Sequence, residues 1–474
     1  MSKNVRRRDF RQLAIGGAVC GTFLSTDFSQ PPAPKTGGGA VPLMLRIEWS
    51  RGTNLPQGFQ DSDGGILGDQ LITVGGFCSG GLKEDNRRKP GRYPRGFLNK
   101  AWRLRLNTSR QGWQRLPDLP AAPRQALSAA RVDEALYFWG GFSYTKPFCY
   151  SDGWKLERIN GTWRWERLPD FPHSINSVAL SVVGKRVFAF GGSDYDGKTF
   201  FTETDRHGGV PRLGARLFVF DTAKPKDGWK ELSPCPGTPR WVHTMAPHRG
   251  KLYVIGGASG GHAVNGVNYG YCTIVDNWCY DIATAKWSRL PDLPIASGNF
   301  SRSTQNIFHD RYILLPGGHQ YSHVLDVNGK VRPTFGKALQ ANPKSGLHND
   351  VFVFDMLHKR FGRADALPID NNLPMTIVRD DQIYLIGGET GGGLVLGEYY
   401  GHHPDLLLIG KIRELSKRQL SKGSQQGTPV VHLEFVWLRT VQPKCASQTS
   451  PVLSSDDLHG LLLRGCIVVA TVMV

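Results

Sequence analysis

LYVIGG, Leu252 to Gly257, is a run of apolar residues that ends in a glycine pair, and the chain repeats it six times. The other copies are LITVGG to Gly76, LYFWGG to Gly141, VFAFGG to Gly192, ILLPGG to Gly318 and IYLIGG to Gly388. An apolar run of this length bounded by glycine reads as a buried strand, and its recurrence reads as one supersecondary unit used six times. Downstream of most glycine pairs comes a second signature: WQRLPDLP at Trp113, WERLPDFP at Trp165, WKELSPCP at Trp229, WSRLPDLP at Trp287 and, with phenylalanine in place of tryptophan, FGRADALP at Phe361. Between the two signatures lies a further apolar strand, such as RLFVFD or DVFVFD. The unit is therefore a set of strands with a variable loop after the glycine pair, and the class is all-β.

This pattern resembles the kelch repeat, a four-stranded propeller blade, over residues 43–412. A single blade cannot bury both faces, whereas six in a ring can. The sixth unit lacks a tryptophan strand after it, and LRIEWS near the N-terminus is an orphan of that type. Residues 44–50 are accordingly predicted to form the outermost strand of the last blade and to close a six-bladed ring.

The chain has 474 residues, 57 glycines and a net charge of +18, spread along its length. Charge of this kind concentrates anionic ligands, and the expected partner is an acidic sugar or polysaccharide, or a protein, rather than nucleic acid. Eight cysteines include no C-x-x-C pair, so a zinc ribbon is not indicated. Cys272 and Cys279 fall within one repeat and can form a disulfide after export.

Residues 1–30 carry Arg6, Arg7 and Arg8, then Asp9 and Phe10, ahead of a short apolar run. The arrangement resembles a twin-arginine export signal, which implies a bacterial protein in the periplasm or at the cell surface. Residues 31–42 read as a Pro/Gly-rich linker. Residues 413–474 leave the repeat pattern, are expected to be a poorly ordered appendage, and end in an apolar run too short for a spanning helix.

The blade-to-blade connections of a propeller and the loops after the glycine pairs open on one face. They place Arg124, Asn176, Arg240, His243, Asn299, Arg302, Asn371 and Asn372 at the channel mouth. Three arginines, Arg124, Arg240 and Arg302, are expected to hold an anionic group, since guanidinium forks match carboxylates. Asn176, Asn299 and Asn371 are expected to add polar contacts, and Tyr399, Tyr400 and His402 are candidates from the last loop. A metal set would draw on His402 or His403 with Asp405 and His319 or His323. Adjacent histidines on an extended segment point opposite ways, and no metal or cofactor is expected.

Among kelch propellers, a copper oxidase site needs seven blades and a Tyr–Cys pair. The chain more closely resembles the six-bladed N-acetylneuraminate epimerase family, sugar mutarotases, through its blade number, the long insertion after the fifth glycine pair and the GGET run that continues into glycines at the sixth. That resemblance implies an acid/base glutamate after the fourth glycine pair, where this chain has Ala258. Glu389, after the sixth pair, and His243 are the candidates to replace it. Two readings stand: an exported isomerase acting on an acidic carbohydrate, or a non-catalytic kelch module that binds protein or polysaccharide at the cell surface.

Overall fold

The computed structural model describes residues 41–415, apart from 80–92, 199, 202–212, 261–262, 265–266, 269–270, 299–304, 322, 326–330 and 334–345. The expected export signal, most of the expected linker and nearly all of the expected C-terminal appendage, with Cys20, Cys445 and Cys466, lie outside the described residues.

Six four-stranded antiparallel sheets form the ring. The first blade runs Asp63–Leu67, Gln70–Val74, Ala101–Arg105 and Gln114–Arg115, and the second Gln125–Val132, Ala135–Phe142, Gly153–Ile159 and Thr162–Leu168. The third comprises Ala179–Val183, Arg186–Phe190, Leu217–Asp221 and Trp229–Leu232, and the fourth Thr244–His248, Lys251–Ile255, Asn277–Asp281 and Lys286–Leu290. Ile307–Phe308, Tyr312–Pro316, Val351–Asp355 and Arg360–Arg363 make the fifth. In the sixth, Met375–Arg379, Gln382–Ile386 and Leu407–Glu414 are completed by Leu45–Arg51 from the N-terminal side.

The predicted closure is thus observed. Leu45–Arg51 pairs antiparallel with Leu407–Glu414, with Ile47 opposite Ile412 and Trp49 opposite Gly410. Leu45 and Ile47 are buried with Met44 and Ile412 in the core shared with blade five, while Arg46 and Glu48 alternate outward. Replacing Ile47 by aspartate puts a carboxylate into that core and is expected to destabilise the ring by about 3 kcal/mol or more, read as a lower urea midpoint.

The glycine pairs explain themselves at atomic level. The first glycine of each pair has φ between +61° and +75° and the second between +96° and +129°, conformations that L side chains avoid. The second glycine's N–H donates across to the connection leading into the next blade: Gly76 to Arg124, Gly141 to Ile175, Gly192 to Arg240, Gly257 to Ser297, Gly318 to Asn371 and Gly388 to Phe59, at 2.7–3.0 Å. The last bond joins blade six to blade one, so the same interaction recurs at every seam. A Cβ at Gly191 would lie 2.6 Å from the Arg240 carbonyl, which is why the approach requires glycine.

The tryptophan end-pieces work at the outer rim. Trp165 Nε1 donates to the Pro117 carbonyl of the preceding blade, Trp287 Nε1 to Ser233, and Trp113 Nε1 to Thr53 at the ring closure, each at 2.9 Å. At these three seams the end-piece of one blade thus receives the indole N–H of the next.

Loops after the glycine pairs add a second tier of small sheets on one face. These include Phe77–Cys78 with Gly96–Phe97, Asp194–Tyr195 with Phe200–Phe201, and Gly393–Val395 with Glu398–Tyr400. A four-stranded sheet joins the fourth and fifth insertions through parallel pairing of Cys272–Ile274 with His323–Leu325. Cys272 and Cys279 sit on different strands as free, buried thiols, each pushed up to about 11 chiefly by burial.

Candidate functional site

The residue after each glycine pair occupies an equivalent place around the ring: Phe77, Phe142, Ser193, Ala258, His319 and Glu389. Five of these bridge to the blade connection, Phe77 to Gln60, Ser193 to Asn176, Ala258 to Trp241, His319 to Gly298 and Glu389 to Asn372. Glu389 alone among the six positions carries a carboxylate.

Glu389 is held from both sides. Its backbone exchanges hydrogen bonds with Asn372 at 2.7 and 2.9 Å, and the Asn372 amide donates to Oε2 at 2.8 Å. His402 Nε2 lies 3.2 Å from Oε1. The His402 ring is itself fixed by Nδ1, which donates to the Thr390 carbonyl at 3.0 Å, while the Thr390 N–H donates to the His402 carbonyl at 2.8 Å. Burial pushes the Glu389 carboxyl up, but the hydrogen bond and charge of His402, with His403 and His319 beyond it, outweigh that and hold it below the usual carboxylate range. At neutral pH Glu389 is ionised, an acceptor of protons, and the ring atom nearest to it is His402 Nε2.

His403 stacks on His402 with ring centres 4.4 Å apart and planes 21° apart, and meets Phe77 edge-on at 5.6 Å. The segment carrying the histidines is a bend, so the alternation expected of an extended strand does not apply and both rings lie beside Glu389. Burial first, then the charge of His402, pushes the His403 imidazole down to about 3, so it is neutral. Tyr144, 42% exposed, packs on Phe97 at 4.9 Å. The charge of the exposed Arg95 reaches both Tyr144 and His403. Arg95 was not legible in the sequence as a site residue, because its loop shares no pattern with the other blades.

The expected arginine cluster is corrected for two of its three members. Arg240 is fully buried and spends its guanidinium on Thr238, Gly256 and Asp276 carbonyls and on the Asp276 carboxylate at 2.6 Å. Arg124 repeats the arrangement one blade pair away, bonding Ala122 and Gly140 carbonyls and the Asp152 carboxylate, with its guanidinium over the Tyr150 ring. Both brace glycine pairs and neither is free to hold an anion. Asn371 belongs with them: it is 1% exposed and its amide donates to the Gly387 carbonyl at 3.0 Å. Its neighbour Asn372 is the one that faces Glu389. Asn176 is buried against Ser193 as Asn372 is against Glu389.

His243 is fully buried between the third and fourth glycine pairs, edge-on to Phe190 at 5.2 Å, and is not brought beside Glu389. Tyr400 turns into the core of blades five and six and donates to Asn54 Oδ1 at 2.9 Å, and Tyr399 is half-buried on the same hairpin. Arg302 and Asn299 lie outside the described residues.

The mouth over blades two to four is filled. Tyr195 stacks on Phe200 at 4.4 Å and Phe200 on Trp241 at 4.7 Å, with Phe142 edge-on and Tyr271 beside them. Ala258 has no exposure within this cluster. A cavity of about 630 Å³ opens at the opposite end of the channel, where the innermost strands finish, lined by Ile66, Val182, Pro247, Ile307 and Val378 with Arg131 and Arg379. Among the described residues no helix is long and apolar enough to cross a membrane.

Comparison with known proteins follows the same lines. The kelch motif family matches residues 243–294. An N-acetylneuraminate epimerase from Haemophilus influenzae strain 86-028NP is 23% identical over 367 residues, which is 72% of this chain and 89% of that protein. That of Pasteurella multocida strain Pm70 is 22% identical over 378 residues, 72% of this chain and 88% of its own. The solved structure described as that of YjhT superposes with a TM-score of 0.52 at 15% identity, covering 77% of this chain and 100% of that chain.

The chain is a kelch-type six-bladed propeller that resembles the N-acetylneuraminate epimerases. Beta-scruin from Limulus polyphemus, 24% identical over 271 residues, aligns with 55% of this chain and 26% of that protein, so proteins of other descriptions match as well. Against the resemblance, the place where an acid/base glutamate is implied is Ala258, roofed by aromatics. A carboxylate, Glu389, stands at the equivalent place on blade six.

Proposed function

We propose that this propeller is exported and catalyses anomer interconversion of an acidic sugar of the N-acetylneuraminate type at Glu389. The observation that carries the reading is the Glu389–His402 pair at 3.2 Å, on the ring position equivalent to Ala258. Opening a sugar hemiacetal needs a proton acceptor at the anomeric hydroxyl and a donor at the ring oxygen. Ionised Glu389 supplies the first and His402, in its imidazolium form with a proton on each ring nitrogen, the second, while the His403, Phe77 and Tyr144 rings, packed edge-on, supply an apolar wall for the pyranose. Arg95, in place of Arg124 and Arg240, supplies the cation for the substrate carboxylate. Exchange spectroscopy on N-acetylneuraminate anomers tests the reading: acceleration over buffer supports it, and unchanged exchange with retained binding leaves a binding module.

The aromatic filling of the mouth favours that second reading to one degree, since a packed rim is also what a non-catalytic module presents. Export rests on the arginine run. Changing Arg7 and Arg8 together to lysine is expected to retain the protein in the cytoplasm at least tenfold more than the parent, measured by fractionation of a bacterial host. Equal export of the two would remove the twin-arginine assignment.

A further inference from the structure

Glu389, His402 and His403 present three donor atoms within 4.8 Å of one another, and the surrounding chain fixes them. The Thr390 carbonyl can only accept, so His402 Nδ1 carries the proton in that 3.0 Å hydrogen bond. In the neutral ring the Nε2 lone pair then faces the Glu389 carboxylate at 3.2 Å, an arrangement that a proton or a cation between them resolves. Asn372 anchors Oε2 at 2.8 Å and leaves Oε1 toward the histidines. His403 is 5% exposed, and its Nδ1 is buried with no hydrogen-bond partner. A buried ring nitrogen without a partner, beside a second imidazole and a carboxylate, points to a ligand.

We propose that Glu389, His402 and His403 bind one first-row divalent transition cation of the zinc type, leaving a coordination position for water or substrate. Two imidazoles and one carboxylate are a donor set that zinc accepts, whereas calcium and magnesium prefer more oxygens. Bonds of about 2.0–2.2 Å to each donor require the widest pair to close by at most about 1.5 Å, within reach of small side-chain rotations. The outer hydrogen bonds are those that metal ligands use: the second imidazole nitrogen of His402 on a carbonyl, and the carboxylate held by an amide. With the cation in place Glu389 is a ligand and no longer a free proton acceptor, so cation and sugar chemistry compete for one group. The binding site itself does not depend on the sugar reading.

The test uses the untagged full chain, stripped with a chelator, titrated with Zn²⁺ by calorimetry and with Co²⁺ by visible absorption. One equivalent is expected, with the intense cobalt bands of a four- or five-coordinate site. Glu389→Gln and His402→Ala are each expected to weaken binding by about a hundredfold or more, and Asn372→Ala by about tenfold. Because Asn372 lies outside the ligand set, that variant still tests the site if either of the first two fails to fold. Zn²⁺ is also expected to raise the melting temperature of the parent and not of the ligand variants. No stoichiometric binding, or equal affinity in Glu389→Gln and His402→Ala, would overturn the proposal. Anomer exchange is read in the same samples with and without Zn²⁺: intact zinc binding without exchange activity removes the sugar reading alone, and zinc-insensitive exchange with no binding removes the metal alone.

Discussion

Arg240→Ala is expected to destabilise the propeller by about 3–5 kcal/mol, because it leaves a buried carboxylate unpaired. The guanidinium is fully buried and satisfies the Thr238, Gly256 and Asp276 carbonyls as well as the Asp276 side chain. Burial pushes the Asp276 carboxyl up, but the charge of Arg240 and the hydrogen bonds from Trp278 and Arg240 outweigh it and hold the group below its usual range. A carboxyl that titrates lower in the folded than in the unfolded chain contributes stability that is fully present above the unfolded pKa, near about 4, and is lost as pH falls through the folded value. In the variant, burial without a partner raises the same carboxyl. The difference in urea midpoint between parent and variant is therefore largest at neutral pH and narrows on acidification below about pH 5. A gap that stays constant to pH 3 would assign the loss to packing alone. Unchanged stability with weakened ligand binding would return Arg240 to the anion-holding role its sequence position suggests.

Glu389→Gln is expected to lower anomerisation by about 10²–10⁴-fold while leaving the urea midpoint nearly unchanged. Glutamine retains an oxygen for the Asn372 amide at the place where Oε2 accepts at 2.8 Å, so the loop has little reason to move. It cannot accept the anomeric proton. His402→Gln keeps polar contact with the Thr390 carbonyl and removes the donor, so its loss should be of the same order. Full activity in Glu389→Gln would show that the proton goes elsewhere.

The scaffold was legible because its determinants repeat. Glycine pairs, tryptophan end-pieces and one orphan strand each recur or are conspicuously displaced, and the structure gives them inter-blade hydrogen bonds, outer-rim indole contacts and ring closure. The arginines misled because exposure was inferred from the loop on which they sit. A second signal was present: Asp152 and Asp276 each stand two residues before a tryptophan, Trp154 and Trp278, in the two blades whose connections carry Arg124 and Arg240. Those aspartates receive the guanidinium and the indole together.

Asn371 and Asn372 illustrate a finer limit. Consecutive residues face opposite sides, and only the backbone register decides which reaches Glu389; the parallel with Asn176 and Ser193 was the available clue. The bend that brings His402 and His403 to one side follows no sequence motif repeated in the other blades. Nor does the Arg95 loop, so the cationic edge of the site needed coordinates. Glu389 itself was readable, as the one carboxylate at a ring position otherwise held by Phe77, Phe142, Ser193, Ala258 and His319.

The most direct test of the account is two-dimensional exchange NMR on N-acetylneuraminate with catalytic amounts of the chelator-treated parent chain. The account predicts that α and β anomers interconvert faster than in buffer at the same pH, and that Glu389→Gln abolishes the increase. Exchange no faster than in buffer, with the sugar still bound, would contradict it.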